Sequence, residues 1–210
     1  MSYLPRSITE YLRQSYVSLT LAGIMLWVFL LLQSFEGERI DALKHFNTFQ
    51  ANEVLNGDIF LLVSWVFVHA DAIQLLFSLL AMVIISANLE RIMGPIRYAA
   101  FFLLSSVLTG LVLLWVHVNI RVIDLYLYGV APAIAAAIAA LVFTRVIRPQ
   151  WFDDTDLRVL WVFTAAYVVV ILGGFAHGFN SPTFAIVYGT GLVLGLGLSP
   201  LLMPRNRFDG

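Results

Sequence analysis

Three polar side chains stand at helical spacing within an otherwise apolar stretch of the chain: Asp71, Gln74 and Ser78. Because they occupy positions i, i+3 and i+7, we expect all three to lie on one face of a helix. Their carboxylate, amide and hydroxyl groups can form hydrogen bonds. Two uses of that chemistry fit the spacing: bonds that tie this helix to its neighbours, or a polar pocket that is open to the outside.

The remaining polar side chains give no indication of a metal site or of a nucleophile. His45 and His117 are predicted to lie in a loop or at the end of an apolar run, and no His-x3-His pair supplies metal ligands. The acidic run from Asp153 to Asp156 is predicted to be a solvated turn whose charges favour the start of the next helix. The chain has no cysteine, which excludes a thiol nucleophile and a disulfide. We expect no metal and no cofactor.

The composition identifies the surroundings of these residues. Of 210 residues, 60% are hydrophobic and 12% are charged, whereas charged residues make up about 25% of a typical soluble domain. We therefore predict an integral membrane protein with a single domain, 1–210, and the lipid bilayer as a partner. Hydrogen-bonding groups in such a protein face its interior. A net charge of −1 argues against a nucleic-acid partner.

Six apolar runs approach the length of about 20 residues that a helix needs to cross a membrane. We therefore predict an all-α bundle of six transmembrane helices. Nine arginines flank one side of these runs and only two arginines and a lysine flank the other, so both termini are predicted to be cytoplasmic. A prokaryotic plasma membrane is the expected location. The predicted spans are 16–35, 72–89, 96–118, 126–146, 157–175 and 184–203.

The segment between the first two predicted spans begins with charged residues and ends in an apolar run, Ile59 to Val68. That run is too short to cross the hydrocarbon core. We expect the segment to be a loop that rests in the outer leaflet against the bundle. Trp65 is predicted to lie at the depth of the lipid headgroups, which tryptophan favours.

Small side chains dominate the fourth predicted span, in the run from Gly129 to Ala140. A helix with so little bulk lets its neighbours approach on all sides, so it is predicted to lie in the middle of the bundle. Gly191, Gly195 and Ser199 form a second face of small residues in the sixth predicted span. We expect that face to pack on the fourth span.

Three short motifs follow one another along the chain. Glu90-Arg91-x-x-Gly94 ends the second span, Gly129-Val130-Ala131-Pro132 begins the fourth, and Tyr188-x-x-Gly191-x-x-x-Gly195 lies in the sixth. They resemble the motifs E-R/K-x-x-G, G-x-S-G and H-x-x-G-x-x-x-G of the rhomboid family of intramembrane serine proteases. The resemblance covers about residues 59 to 198 and implies a rhomboid-like bundle. The residues to which it gives a structural role are Glu90, Arg91, Gly94, Gly129, Gly191 and Gly195.

The chain departs from the family at the residues that carry out its chemistry. Ala131 stands at the position of the nucleophilic serine and Tyr188 at that of the base histidine. Gln74 and Ser78 replace the family's oxyanion-side His and Asn, and only His69 is retained. An alanine methyl cannot form an acyl-enzyme, and a phenol is a poor base at neutral pH because its ordinary pKa is about 10. We therefore expect no proteolysis, and these positions to be vestigial.

The resemblance implies binding instead. In rhomboids the substrate helix enters between spans two and five, and we expect this chain to bind transmembrane helices of other membrane proteins there, as an adaptor or a chaperone. Two alternatives stay open: an active intramembrane protease that uses other residues, and a small-molecule transporter or channel. The residues expected to contact a client are Gln74, Ser78, Trp161, Thr164, Tyr167 and Tyr188.

Overall fold

A computed structural model describes residues 8–34, 48–120, 129–151 and 182–204, together with residues 127, 158, 161, 162, 164 and 165. These residues are helical or lie in turns, apart from one isolated bridge between Phe49 and Leu127. The predicted all-α class is therefore confirmed for the part of the chain that the structure describes.

Four described helices are long and apolar enough to cross a membrane: Tyr16–Ser34, Ala72–Met93, Pro95–Ile120 and Ala185–Leu202. We call the first three the first, second and third spanning helices. The fourth belongs to the helix Pro182–Leu202, which we call the last helix. A shorter apolar helix, Ala131–Ile147, is the central helix, and Ile8–Gln14 is the N-terminal helix. The fifth predicted span lies almost wholly outside the described residues, so the count of six spans stays a prediction.

The central helix is buried along most of its length, including every residue from Pro132 to Leu141. The last helix packs on it at two glycines. A Cβ at Gly191 would overlap the carbonyl oxygen of Pro132, and one at Gly195 would lie 2.8 Å from the Cα of Ala136. The structure thus brings the two small-residue faces together, because only glycine lets the two backbones approach this closely.

Residues 48–70 form a loop at one end of the bundle, which we call the loop end. Its elements are Ala51–Asn56, Leu61–Ser64 and the turn Trp65–Phe67. None of these three is long enough to cross a membrane. The loop rests on the third spanning helix at Gly110, where an added Cβ would lie 3.0 Å from the side chain of Leu62.

Trp65 lies in the core of the protein and not on a surface that faces lipid. Its side chain is 1% exposed and packs on Phe49, with ring centroids 5.9 Å apart. A buried indole needs an acceptor for its N–H, and Nε1 of Trp65 donates to the carbonyl oxygen of Leu62 at 3.2 Å. Trp65 is therefore a core residue that anchors the loop to the bundle.

The opposite end of the bundle is fixed by Glu90, and we call it the Glu90 end. The buried carboxylate accepts hydrogen bonds from the amides of Val17 and Ser18 at 2.9 and 2.7 Å, and from the Ser18 hydroxyl at 2.7 Å. Amides in the first turn of a helix have no partner within it, and a negative charge there is favoured by the helix dipole. Glu90 thus caps the first spanning helix.

Gly94 ends the second spanning helix with a φ of 84°, in the region that favours glycine. Its amide donates to the carbonyl oxygen of Glu90 at 2.7 Å, and its own carbonyl accepts from the amide of Tyr98 at 3.0 Å. The third spanning helix therefore starts directly at the turn. Arg91, which follows Glu90 in the sequence, lies over the ring of Tyr11 in the N-terminal helix.

Candidate functional site

The central helix begins at the loop end with a left-handed turn. Gly129 has a φ of 107°, which favours glycine, and its amide donates to the carbonyl oxygen of Trp65 at 3.0 Å. Val130 is the buried residue before the helix, and Ala131 is the first helical residue. The turn places Ala131, half-buried, next to the loop.

Gln74 covers this turn from the second spanning helix. The side-chain oxygen of Gln74 accepts a hydrogen bond from the backbone amide of Ala70 at 2.8 Å. The backbone amide of Gln74 donates to Oδ1 of Asp71 at 2.8 Å. These two bonds cap the start of the helix. They leave Nε2 directed at Gly129, where an added Cβ would lie 2.9 Å from that nitrogen. Gln74 therefore caps its helix through the oxygen and presents an N–H donor through the nitrogen.

The three residues of the predicted polar stripe do not share one face. Asp71 precedes the helix in an extended conformation, with φ −146° and ψ 169°, and it is exposed. Ser78 lies one turn beyond Gln74 and is 8% exposed, so it faces the interior. The prediction of a common face is wrong for Asp71, because a residue that caps a helix lies outside the helical periodicity.

Tyr188 reaches the same level of the bundle from the last helix. The two glycine contacts of the last helix advance by one turn on both helices, so the central and last helices run parallel with a constant offset. Tyr188 precedes the first of these glycines by one turn and is half-buried. The same offset places it level with the start of the central helix and on the glycine face. We call Gln74, Gly129, Ala131 and Tyr188 the mouth of the central helix.

His69 is buried in the loop as a neutral side chain. It is 1% exposed, and its Nδ1 lies 3.2 Å from the carbonyl oxygen of Phe67. Its Nε2 is buried with no hydrogen-bond partner among the described residues. Burial disfavours the charged form and lowers the pKa of His69 from 6.5 to about 4. The contact with the carbonyl group of Phe67 holds the ring of His69 within the loop.

The predicted contacts from the fifth span fall into three cases. Thr164 is a helical residue that is 8% exposed, whereas Trp161 is helical and 54% exposed. Tyr167 lies outside the described residues. A client beside the fifth span would therefore meet Trp161 first, while Thr164 is covered by the protein itself.

One contact that holds the mouth in place was missed by the sequence analysis. Phe49 and Leu127 exchange two backbone hydrogen bonds of 2.7 and 3.2 Å, which join the loop to the chain just before Gly129. Phe49 is fully buried. A bridge of a single residue pair leaves no periodic signal in the sequence, so no sequence pattern could have suggested it.

Residues 56–205 match the family model described as "Rhomboid domain". The match contains every residue of the mouth and does not extend to the N-terminal helix or the first spanning helix. The chain is also similar to "Rhomboid protease GlpG" of Haemophilus influenzae. The two are 21% identical over 189 residues, which is 88% of this chain and 89% of that protein.

Proposed function

We propose that this chain, which belongs to the rhomboid family, binds transmembrane segments of client membrane proteins at the mouth and does not cleave them. The observation that carries the proposal is Ala131, the first residue of the central helix. The resemblance of Gly129-Val130-Ala131-Pro132 to the family's G-x-S-G motif assigns it to the position of the nucleophile, and it offers only a methyl group. The proposed role is that of an adaptor or a chaperone that retains its clients.

The residues at the mouth do not supply the chemistry of a serine protease. Such a protease needs a hydroxyl nucleophile and a base within hydrogen-bond reach. Ala131 has no hydroxyl, and the phenol of Tyr188 stands where the base is expected. In a soluble serine protease the loss of the nucleophile alone or of the histidine alone lowers turnover on the order of 10⁶-fold.

Two serines of the third spanning helix are poorly placed to replace the nucleophile. Ser105 and Ser106 of the third spanning helix are 0% exposed. Both hydroxyls donate to the carbonyl oxygen of Phe102, at 3.0 and 2.8 Å. These hydroxyls form hydrogen bonds within their own helix, and their burial keeps a substrate from reaching them.

The mouth offers hydrogen-bond donation to a client in place of cleavage. A transmembrane helix that unwinds in lipid exposes backbone carbonyls, each at a cost of several kcal/mol. Nε2 of Gln74 lies against Gly129 in the mouth, and the side-chain oxygen is already fixed by the amide of Ala70. Because this oxygen bond orients the amide, the nitrogen can donate to such a carbonyl with little loss of side-chain freedom.

Photocrosslinking in membranes tests the proposal. A benzophenone amino acid at position 74 should capture a transmembrane client, whereas the same group at Leu30, which is 57% exposed on the first spanning helix, should capture none above background. Ala131→Phe fills the mouth and should reduce capture at position 74 at least several-fold. Gly23→Phe is the matched control, because a Cβ at Gly23 meets nothing within 4 Å.

Equal capture at positions 74 and 30 would show that binding is not at the mouth. Capture that survives Ala131→Phe would lead to the same conclusion.

A second candidate function is proteolysis by other residues, which the name of the Haemophilus influenzae relative favours. A fluorophosphonate probe separates the two, since it labels an activated serine. We expect no labelling of the purified protein. Labelling that is abolished by changing one serine would establish the protease instead.

A further inference from the structure

A π-helical turn interrupts the second spanning helix. It consists of Met82–Ser86, and the amide of Ala87 donates to the carbonyl oxygen of Met82, five residues back. Such a turn amounts to one extra residue inserted into an α-helix, and π-helical turns occur frequently at functional sites. Because one residue of an α-helix corresponds to about 100° of rotation, this insertion sets the direction in which the half-helix Ala72–Ala81 faces. That half-helix carries Gln74.

The carbonyl groups of the π-helical turn are bound by side chains. The phenol of Tyr11, in the N-terminal helix, donates to the carbonyl oxygen of Val83. Nδ2 of Asn88 donates to the carbonyl oxygen of Ile84. A side chain that enters the backbone ladder of a helix stabilises an irregular turn there. Tyr11 comes from a segment 72 residues away, so the irregular turn depends on the docking of another element.

The N-terminal helix is docked by a connected set of side chains at the Glu90 end. The guanidinium of Arg91 lies 5.3 Å from the centroid of the Tyr11 ring, a distance at which a cation and an aromatic face attract each other. The same guanidinium donates to Oδ1 of Asn88. Arg91 therefore contacts both side chains that donate to the carbonyl groups of the π-helical turn, Tyr11 and Asn88. The N-terminal helix itself precedes the part of the chain that matches the rhomboid domain.

We propose that the N-terminal helix is a regulatory latch. While Tyr11 binds the carbonyl of Val83, the second spanning helix keeps its π-helical turn and Gln74 faces the mouth. When the N-terminal helix leaves, the turn becomes α-helical and the half-helix Ala72–Ala81 rotates by about 100°. The effect on clients rests on the proposed function, whereas the rotation does not.

The sense of the rotation follows from the winding of the two helix types. A π-helix has more residues per turn than an α-helix, so each of its residues contributes less rotation. On conversion to α-helix, every residue of the half-helix takes the direction that the preceding residue has now. Gln74 would take the direction of Ile73, which is 69% exposed, and its amide would leave the mouth.

Spin labels read this rotation directly, because the chain has no cysteine and single cysteines can be introduced. Leu76 is 55% exposed and Ser78 is 8% exposed, so oxygen should relax a nitroxide at position 76 more than one at position 78. In Tyr11→Phe, which keeps the ring beneath Arg91, the ratio of latched to unlatched protein should fall by about 2- to 10-fold, the equivalent of one hydrogen bond. Oxygen accessibility should then fall at position 76 and rise at position 78.

Two further variants make the result decisive. Deletion of Val83 removes the inserted residue and leaves an α-helix in which Gln74 still faces the mouth, because the two halves keep their present relative orientation. Both labels should therefore keep their accessibilities, and Tyr11→Phe should have no added effect in this variant. Tyr16→Phe changes an exposed tyrosine of the first spanning helix and should leave both labels as they are. Unaltered accessibilities in Tyr11→Phe, or a rise at both positions, would overturn the latch.

The accessibilities are measured without a client, so they test the latch separately from the proposed function. If the exchange occurs, a benzophenone at position 74 should lose its client in Tyr11→Phe and keep it in the Val83 deletion. A protein that shows the exchange but captures no client in any form would retain the latch and lose the proposed function.

Discussion

At the residue scale, the proposed loss of proteolysis comes from two side chains on two helices. Ala131 begins the central helix, and Tyr188 lies level with it on the last helix. We expect Ala131→Ser to cleave no rhomboid-type transmembrane substrate, because a serine hydroxyl without a base is a weak nucleophile. Ala131→Ser with Tyr188→His should give weak cleavage, limited by Gln74 and Ser78, which replace the oxyanion-side residues. Gel-based cleavage assays in detergent measure both. Equal cleavage by the single and double variants would show that Tyr188 does not occupy the position of the base.

At the element scale, the contact between the central and last helices depends on glycines on one face only. A Cβ at Gly195 would collide with the backbone of Ala136, whereas one at Gly197, on the same helix, meets nothing within 4 Å. Backbone atoms cannot move aside as a side chain can. We therefore expect Gly195→Ala to destabilise the protein by about 1–3 kcal/mol. Gly197→Ala should be neutral or stabilising by up to about 1 kcal/mol, because alanine is the better helix former. Thermal unfolding in detergent compares the two, and an equal loss of stability would contradict the close packing.

At the scale of the whole molecule, the distribution of arginine predicts that both termini and the Glu90 end lie in the cytoplasm. The absence of native cysteine allows single cysteines to be labelled with a membrane-impermeant maleimide on intact cells. Asn56→Cys, at an exposed position of the loop, should be labelled. Asp154→Cys should be labelled only after the cells are opened. The reverse pattern would place the loop end in the cytoplasm.

The sequence predicts those features of the bundle that follow from its composition or from the small size of particular side chains. The run of alanines in the central helix and the glycine face of the last helix both express a requirement for close approach. The packing of Trp65 on Phe49 was not predicted, because a short apolar run does not indicate which of its side chains meets protein and which meets lipid. Asp71 was assigned to the helix because helical spacing does not distinguish a cap from a first turn. The π-helical turn Met82–Ser86 and the bond from Tyr11 have no periodic signal, because they arise from contact between distant segments.

The cap that Glu90 places on Val17 and Ser18 also has a consequence for the order of synthesis. The carboxylate is 72 or 73 residues downstream of the amides that it binds. At about 5–20 residues per second of translation, roughly 4–15 seconds separate the emergence of the first spanning helix from that of its cap. During this interval those amides depend on water or on another protein. The first spanning helix therefore lacks its cap when it enters the membrane. The cap forms only after the second spanning helix, which carries Glu90, has been synthesised.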